Sequence, residues 1–136
     1  MQKIATCLWF DNQAEEAVTF YTSLFKNSEK GTVVYYGEGS PMPKGSVLTM
    51  NFRLENQDFI ALNGGPYFTF NPSISFSVTL ENEAELATLW AKLSEGGSVL
   101  MEFQKYDWSE KYGWLSDKYG VSWQLGFGKT SQTITP

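Results

Sequence analysis

A strand–helix start that occurs twice constrains this chain more than any other feature. Residues 4–25, IATCLWFDNQAEEAVTFYTSLF, read as a strand over 4–10, a two-residue break, and a helix over about 13–25. Within the helix, Ala14, Ala17, Val18, Tyr21, Leu24 and Phe25 fall at the i, i+3, i+4, i+7 spacing of a face lying on a core. Asn12 stands at the expected N-cap with Glu15 three residues on, a capping box with Asn in place of Ser or Thr. The same start returns as Asn82-Glu83-Ala84-Glu85.

The segments after each start repeat as well. The first helix leads into a β-rich run at 32–36, a Gly/Pro loop at 37–45 placed like a lid on a pocket, and strands at 46–54 and 59–63 around the turn 55–58. Gly64-Gly65-Pro66 ends the pair. The second cycle has a strand at 73–80 and a helix from Asn82 to about Leu93, with Leu86, Leu89, Trp90 and Leu93 as its buried stripe and Gly96-Gly97 as its stop. A strand at 99–103, a loop at 104–111, and a hairpin of 112–116 and 121–127 complete it. Strand, helix and three strands therefore occur twice. The class is α+β: two βαβββ modules, 1–66 and 67–127, with a polar, fraying tail at 128–136.

Composition narrows the partners. The chain has 136 residues, a net charge of −5 and a pI of about 4.7, with no basic cluster, which argues against a nucleic-acid partner. No apolar run approaches the roughly 18 residues of a membrane span, and the N-terminus has no signal-peptide layout. The single cysteine, Cys7, permits no intrachain disulfide and suits a cytoplasmic location. There is no histidine, so the commonest transition-metal ligand and the commonest general base are both missing.

Alternation along the strands assigns faces. One face collects Ile4, Leu8 and Phe10; Leu48, Met50, Phe52 and Leu54; Ile60 and Leu62; Ile74, Phe76 and Val78; and Val121, Trp123 and Leu125. It is expected to pack under the helices. The other face is small or polar, with a few aromatics. Two readings compete for it: a solvent-facing sheet surface, or a concave cavity lined by Cys7, Trp9, Thr49, Asn51, Arg53, Asn63, Ser75 and Gln124, with Trp114 beside it. Scattered amides and hydroxyls orient a ligand, and only one charge, Arg53, occurs among these positions, which favours the cavity.

Three segments, CLWFDNQAEEAVTFYTSLF, LNGGPYFTFNPSISFSV and YGWLSDKYGVSWQL, carry a family resemblance that spans nearly the whole chain. It resembles PhnB-like members of the vicinal oxygen chelate superfamily, the group of glyoxalase I, bleomycin-resistance proteins and extradiol dioxygenases. This subfamily is often labelled 3-demethylubiquinone methyltransferase-like. The resemblance implies a U-shaped mixed sheet around a central cavity, usually in a homodimer. Metal enzymes of the superfamily place four His, Gln or Glu side chains in that cavity. The equivalent positions here are Ala5, Ala61, Ser73 and Gln124, too few donors for an ion, so neither metal nor cofactor is expected. No strand–Gly-rich turn–helix that would hold S-adenosylmethionine occurs.

Chemistry-bearing residues are sparse. Cys7 faces the expected cavity without a histidine to activate it, so it reads as a small buried hydrophobe ahead of a nucleophile. Arg53, the only arginine, can clamp a carboxylate, phosphate or phosphonate, or serve as a rim residue. Gln124 and Asn63 can orient a ligand but not transfer protons. Glu102 and Asp107 are candidate bases or a solvated acidic surface. Trp108 and Trp114 can stack on a flat ligand or fill a core or dimer contact, and 106–113 is a second candidate lid. The leading expectation is a metal-free protein binding an unknown small molecule, with anions among the candidates. The alternatives are a glyoxalase-like enzyme and a ligand-free dimeric scaffold.

Overall fold

The computed structural model describes residues 2–128; all but the first residue of the tail expected over 128–136 lies outside them. The chain divides into two units, Met1–Thr69 and Phe70–Pro136.

The first unit contains β1 (Thr6–Phe10), α1 (Ala14–Leu24), β2 (Ser28–Tyr35), β3 (Val47–Leu54) and β4 (Gln57–Asn63). Its sheet has the order β1-β4-β3-β2, with β1 parallel to β4 and the other pairs antiparallel. The apolar stripe of α1 does what its spacing requires. Ala14, Ala17, Val18 and Tyr21 are fully buried against Leu8, Phe10, Phe52, Leu54 and Phe59. Two alanines on that stripe bring the helix close to the sheet, and Tyr21, Phe52 and Phe59 stack in series at 6.3 and 5.1 Å.

Four expectations fail in this unit. The first is the N-terminal cap of α1. The helix starts at Ala14 after Gln13, without a side-chain cap of its own, so Asn12 and Glu15 form no capping box. Its first free N–H, on Ala14, is instead accepted by Asn63 Oδ1 at 2.8 Å, from the far end of β4. The second concerns the faces of β4. Ile60 and Leu62 are only half-buried, whereas Phe59, Ala61 and Asn63 lie at 7, 0 and 5 % exposure under the helix. The turn explains this. Glu55 and Asn56 have φ of 46° and 70°, the two left-handed residues of a tight hairpin, so Leu54 pairs with Gln57 and Phe52 with Phe59. Directly opposed residues share a face, and Phe52 therefore takes Phe59, Ala61 and Asn63 to its own side. Ile4, placed with the core by alternation, precedes β1 and is 85 % exposed. Val47, placed on the open face, is buried.

The second unit repeats the topology with β5 (Ser75–Leu80), α2 (Glu83–Ser94), β6 (Ser98–Tyr106), β7 (Ser109–Ser116) and β8 (Ser122–Phe127), in the order β5-β8-β7-β6. Here the cap is local: Asn82 Oδ1 accepts the Glu85 N–H at 2.9 Å. Leu86, Leu89 and Leu93 are buried, each stabilising the fold by about 1.5–3 kcal/mol. Trp90 stacks on Phe103 at 4.9 Å and lies over Gly113, where a Cβ would come within 2.5 Å of the indole. The β7–β8 connection closes on buried Asp117, whose carboxylate accepts the Tyr119 and Val121 N–H groups and the Trp123 Nε1–H. The loop expected over 104–111 does not exist. β6 continues to Tyr106, Asp107 and Trp108 form the turn, and β7 begins at Ser109, so this stretch is a hairpin and offers no lid. Ile74, placed in the core by alternation, precedes β5 and is 73 % exposed. Among the described residues no helix is long and apolar enough to cross a membrane.

Candidate functional site

Strand pairing in the first unit builds the side of the sheet away from α1 in rows. Cys7, Ile60 and Asn51 oppose one another across β1, β4 and β3; Trp9, Leu62 and Thr49 form the next row. On the other side of Asn51, Arg53 lies directly opposite Asp58 on β4 and Glu29 on β2. A groove of about 420 Å³ opens over this corner, lined by Gln2, Ala5, Gly31, Asn51, Arg53 and Ile60, with Glu29 and Asp58 at its charged end. Glycine at 31 lets β2 lie close to β3: an added Cβ would lie 3.1 Å from the Asn51 carbonyl oxygen. The size falls within the range of small-molecule sites.

The polar groups there are unequally engaged. Arg53 Nε donates to Asp58 Oδ1 at 2.8 Å, and its other N–H groups have no hydrogen-bond partner among the described residues. That hydrogen bond, the charge of Asp58 and the more distant charge of Glu29 hold the guanidinium still more firmly protonated than usual. Asp58 is fixed in turn by Gln2, whose Oε1 accepts the Asp58 N–H at 3.0 Å. The Asn51 amide and the Glu29 carboxylate are exposed and form no hydrogen bond among the described residues. Cys7 is exposed as well, yet desolvation pushes its thiol up, the wrong direction for a nucleophile. Trp9 holds a turn: its Nε1–H donates to the Gly65 carbonyl at 2.9 Å and its ring meets Phe68 edge-on at 4.9 Å. Gly64 is pressed so closely to that indole that a Cβ would sit 2.3 Å from it.

Asn63 does not belong to this surface. Besides anchoring α1, it donates through Nδ2 to the Val47 carbonyl at 3.1 Å, on the buried side of the sheet. Its amide is a structural clamp, and the face assignment that put it in a cavity is overturned by the β3–β4 register.

The second unit presents a different open face. Tyr112 OH donates to Gln124 Oε1 at 2.5 Å, and Gln124 Nε2 donates to Ser75 Oγ at 2.7 Å. Trp114 Nε1–H donates to Ser122 Oγ at 2.7 Å. Desolvation first, and the charge of Tyr106 second, raise the pKa of Tyr112 and keep it a donor. Ser75, Trp114 and Gln124 thus lie on one face, as read from alternation, but their polar atoms are engaged with neighbouring side chains. Tyr106, Trp108 and Tyr112 cluster at the hairpin end. Sequence reasoning missed Tyr112, Gln2, Glu29, Gly31 and Asp58. The parity of Tyr112 with Trp114 was the one signal within reach.

The residues do not fit a metal. Ala61 is under the helix, Ala5 has only a methyl, Ser73 precedes β5, and both ends of the Gln124 amide are hydrogen-bonded. Among the described residues no three His, Cys, Asp or Glu side chains come together.

Two βαβββ units, each with a mixed four-stranded sheet, define a glyoxalase-like fold. The fosfomycin resistance protein FosX of Listeria monocytogenes shares this fold, with a TM-score of 0.63 and 13 % identity over 96 % of this chain and 95 % of that one. More narrowly, the chain belongs to the family described as 3-demethylubiquinone-9 3-methyltransferase, whose profile matches residues 2–126. It is similar to a putative 3-demethylubiquinone-9 3-methyltransferase, a PhnB protein, of Bacillus cereus: 45 % identical, TM-score 0.87, covering 93 % of this chain and 100 % of that one. A crystallised protein of Pseudomonas aeruginosa is similar at 24 % identity and a TM-score of 0.78, over 93 % of this chain and 98 % of that one. No protein of curated function matches the chain.

Proposed function

We propose that this protein binds a small polar organic molecule in the groove of its first unit, and that it does so without a metal. One observation carries this reading. The groove gathers polar groups without a partner among the described residues, the Asn51 amide and the outer N–H groups of Arg53, with Ile60 and Gly31 also in its lining. The polar atoms around Gln124 are bonded within the fold; those of Asn51 and Arg53 face solvent beside a hollow and can exchange water for a ligand. Cys7, Thr49 and Trp9 extend the same face beyond the groove.

The name of the family describes methyl transfer. Such a reaction needs a bound methyl donor, and the strand-to-helix connections that hold nucleotide-like donors are rich in glycine. The two connections here, Asp11-Asn12-Gln13 and Glu81-Asn82, contain none. Binding therefore stands ahead of methyl transfer, and ahead of metal-assisted chemistry of the glyoxalase kind.

Native mass spectrometry of protein purified gently from its producing cells tests the reading. The expected result is a small-molecule adduct that folded Asn51→Ala and Arg53→Gln variants lack. Adduct-free wild type, together with groove amides that do not shift in an NMR fragment screen, would overturn it. Stoichiometric zinc or nickel with turnover of a hemithioacetal would overturn the metal-free part.

A further inference from the structure

The charge arrangement at the groove narrows the ligand class, an inference that rests on the reading above. Arg53 is the middle member of a row of three, flanked across β2 by Glu29 and across β4 by Asp58. The row holds two carboxylates to one guanidinium, so a simple anion approaching Arg53 also meets an excess negative charge, and a dianion such as a phosphonate meets more. The two acids differ in state. The Asp58 carboxylate is bonded to Arg53 Nε, whereas Glu29 has no hydrogen bond or ion pair among the described residues and acts on Arg53 through its charge alone. Directly opposed residues on neighbouring strands stand about 5 Å apart, so the Glu29 carboxylate and the partly engaged guanidinium lie within reach of one ligand. Between them, Gly31 contributes no side chain, and Asn51 adds an amide.

We propose that the groove selects a short zwitterion of the amino-acid type. Its carboxylate lies on the outer N–H groups of Arg53 and the Asn51 amide, its ammonium lies on Glu29, and its short aliphatic part lies over Gly31 and Ile60.

The test compares 4-aminobutyrate with butyrate, butylamine and butyramide, followed by NMR shifts of the Gly31 and Asn51 amides. The expected result is that 4-aminobutyrate binds about two- to fivefold more tightly than the other three. Glu29→Gln, at an exposed position without a bonded partner, is expected to fold normally and to reduce 4-aminobutyrate to the level of butyrate. Arg53→Gln is expected to lose both. Butyrate or butyramide binding as well as 4-aminobutyrate, or an unchanged preference in Glu29→Gln, overturns the zwitterion and leaves the groove as a binding site. Silence from all four probes at the groove amides, with no adduct by native mass spectrometry, overturns both.

Discussion

The two units share one topology and solve the same local problems differently. α1 cannot cap its own start and borrows Asn63 from the end of β4, a contact across 49 residues of sequence; α2 is capped by the neighbouring Asn82, three residues from its bond. The open faces differ in the same spirit. In the second unit Tyr112, Gln124 and Ser75 are bonded in a chain and Trp114 to Ser122, whereas in the first, among the described residues, Asn51 and Glu29 have no such partner and Arg53 is bonded through Nε alone. A duplicated unit can thus keep its fold while one copy satisfies its polar groups internally and the other leaves them toward a groove.

The largest expected effect lies at the borrowed cap. Asn63→Ala removes two buried hydrogen bonds and strands the Val47 carbonyl and the α1 start, at a cost of about 2–4 kcal/mol in denaturant unfolding. A loss below about 1 kcal/mol would show that the clamp is not what holds α1. Gly113→Ala, which drives a Cβ into Trp90 and toward the Phe103 backbone, is expected to cost about 1–3 kcal/mol, with the near-ultraviolet dichroism of the tryptophans altered. Asn82→Ala, an exposed cap, is expected to cost about 1 kcal/mol; an effect equal to that of Asn63→Ala would erase the contrast between the two helix starts.

A pH profile separates the open faces. The phenol of Tyr112 has a raised pKa, so its contribution to folding is complete below the ordinary tyrosine value, about 10, and is lost as pH rises through its folded value. Tyr112→Phe should flatten the alkaline limb of stability measured by urea unfolding. The thiol of Cys7 is raised in the same sense, so the comparison belongs in a Cys7→Ser background. At the low end, Asn51→Ala should change stability by no more than about 0.5 kcal/mol, since the amide is exposed and unbonded, while removing the adduct. A substantial destabilisation there would mean that the first open face is as self-satisfied as the second.

The architecture was legible because it is written locally. Both helices appear in the 3.6 period of Ala14–Leu24 and Leu86–Leu93, and Asn82 caps as a nearby residue can. What could not be read was decided by partners distant in sequence. Asn63 looks like a ligand-orienting amide until its register with Phe10 and Val47 is known. The faces of β4 depend on the length of a turn: hydrophobicity put Ile60 inside, and the pairing of Phe52 with Phe59 put it outside. The site was partly legible. Asn51 and Arg53 stand out as polar residues on an apolar strand, but the value of Arg53 depends on Glu29 and Asp58, which reach it only through the sheet.

The sole thiol of the chain has a practical consequence. Cys7 is exposed in the same cross-strand row as Ile60 and Asn51, so a maleimide dye would attach at a single known spot beside the groove without any engineering. Its raised pKa calls for coupling at mildly alkaline pH. A label placed there would turn the native protein into its own occupancy sensor, with emission that changes as the neighbouring hollow fills.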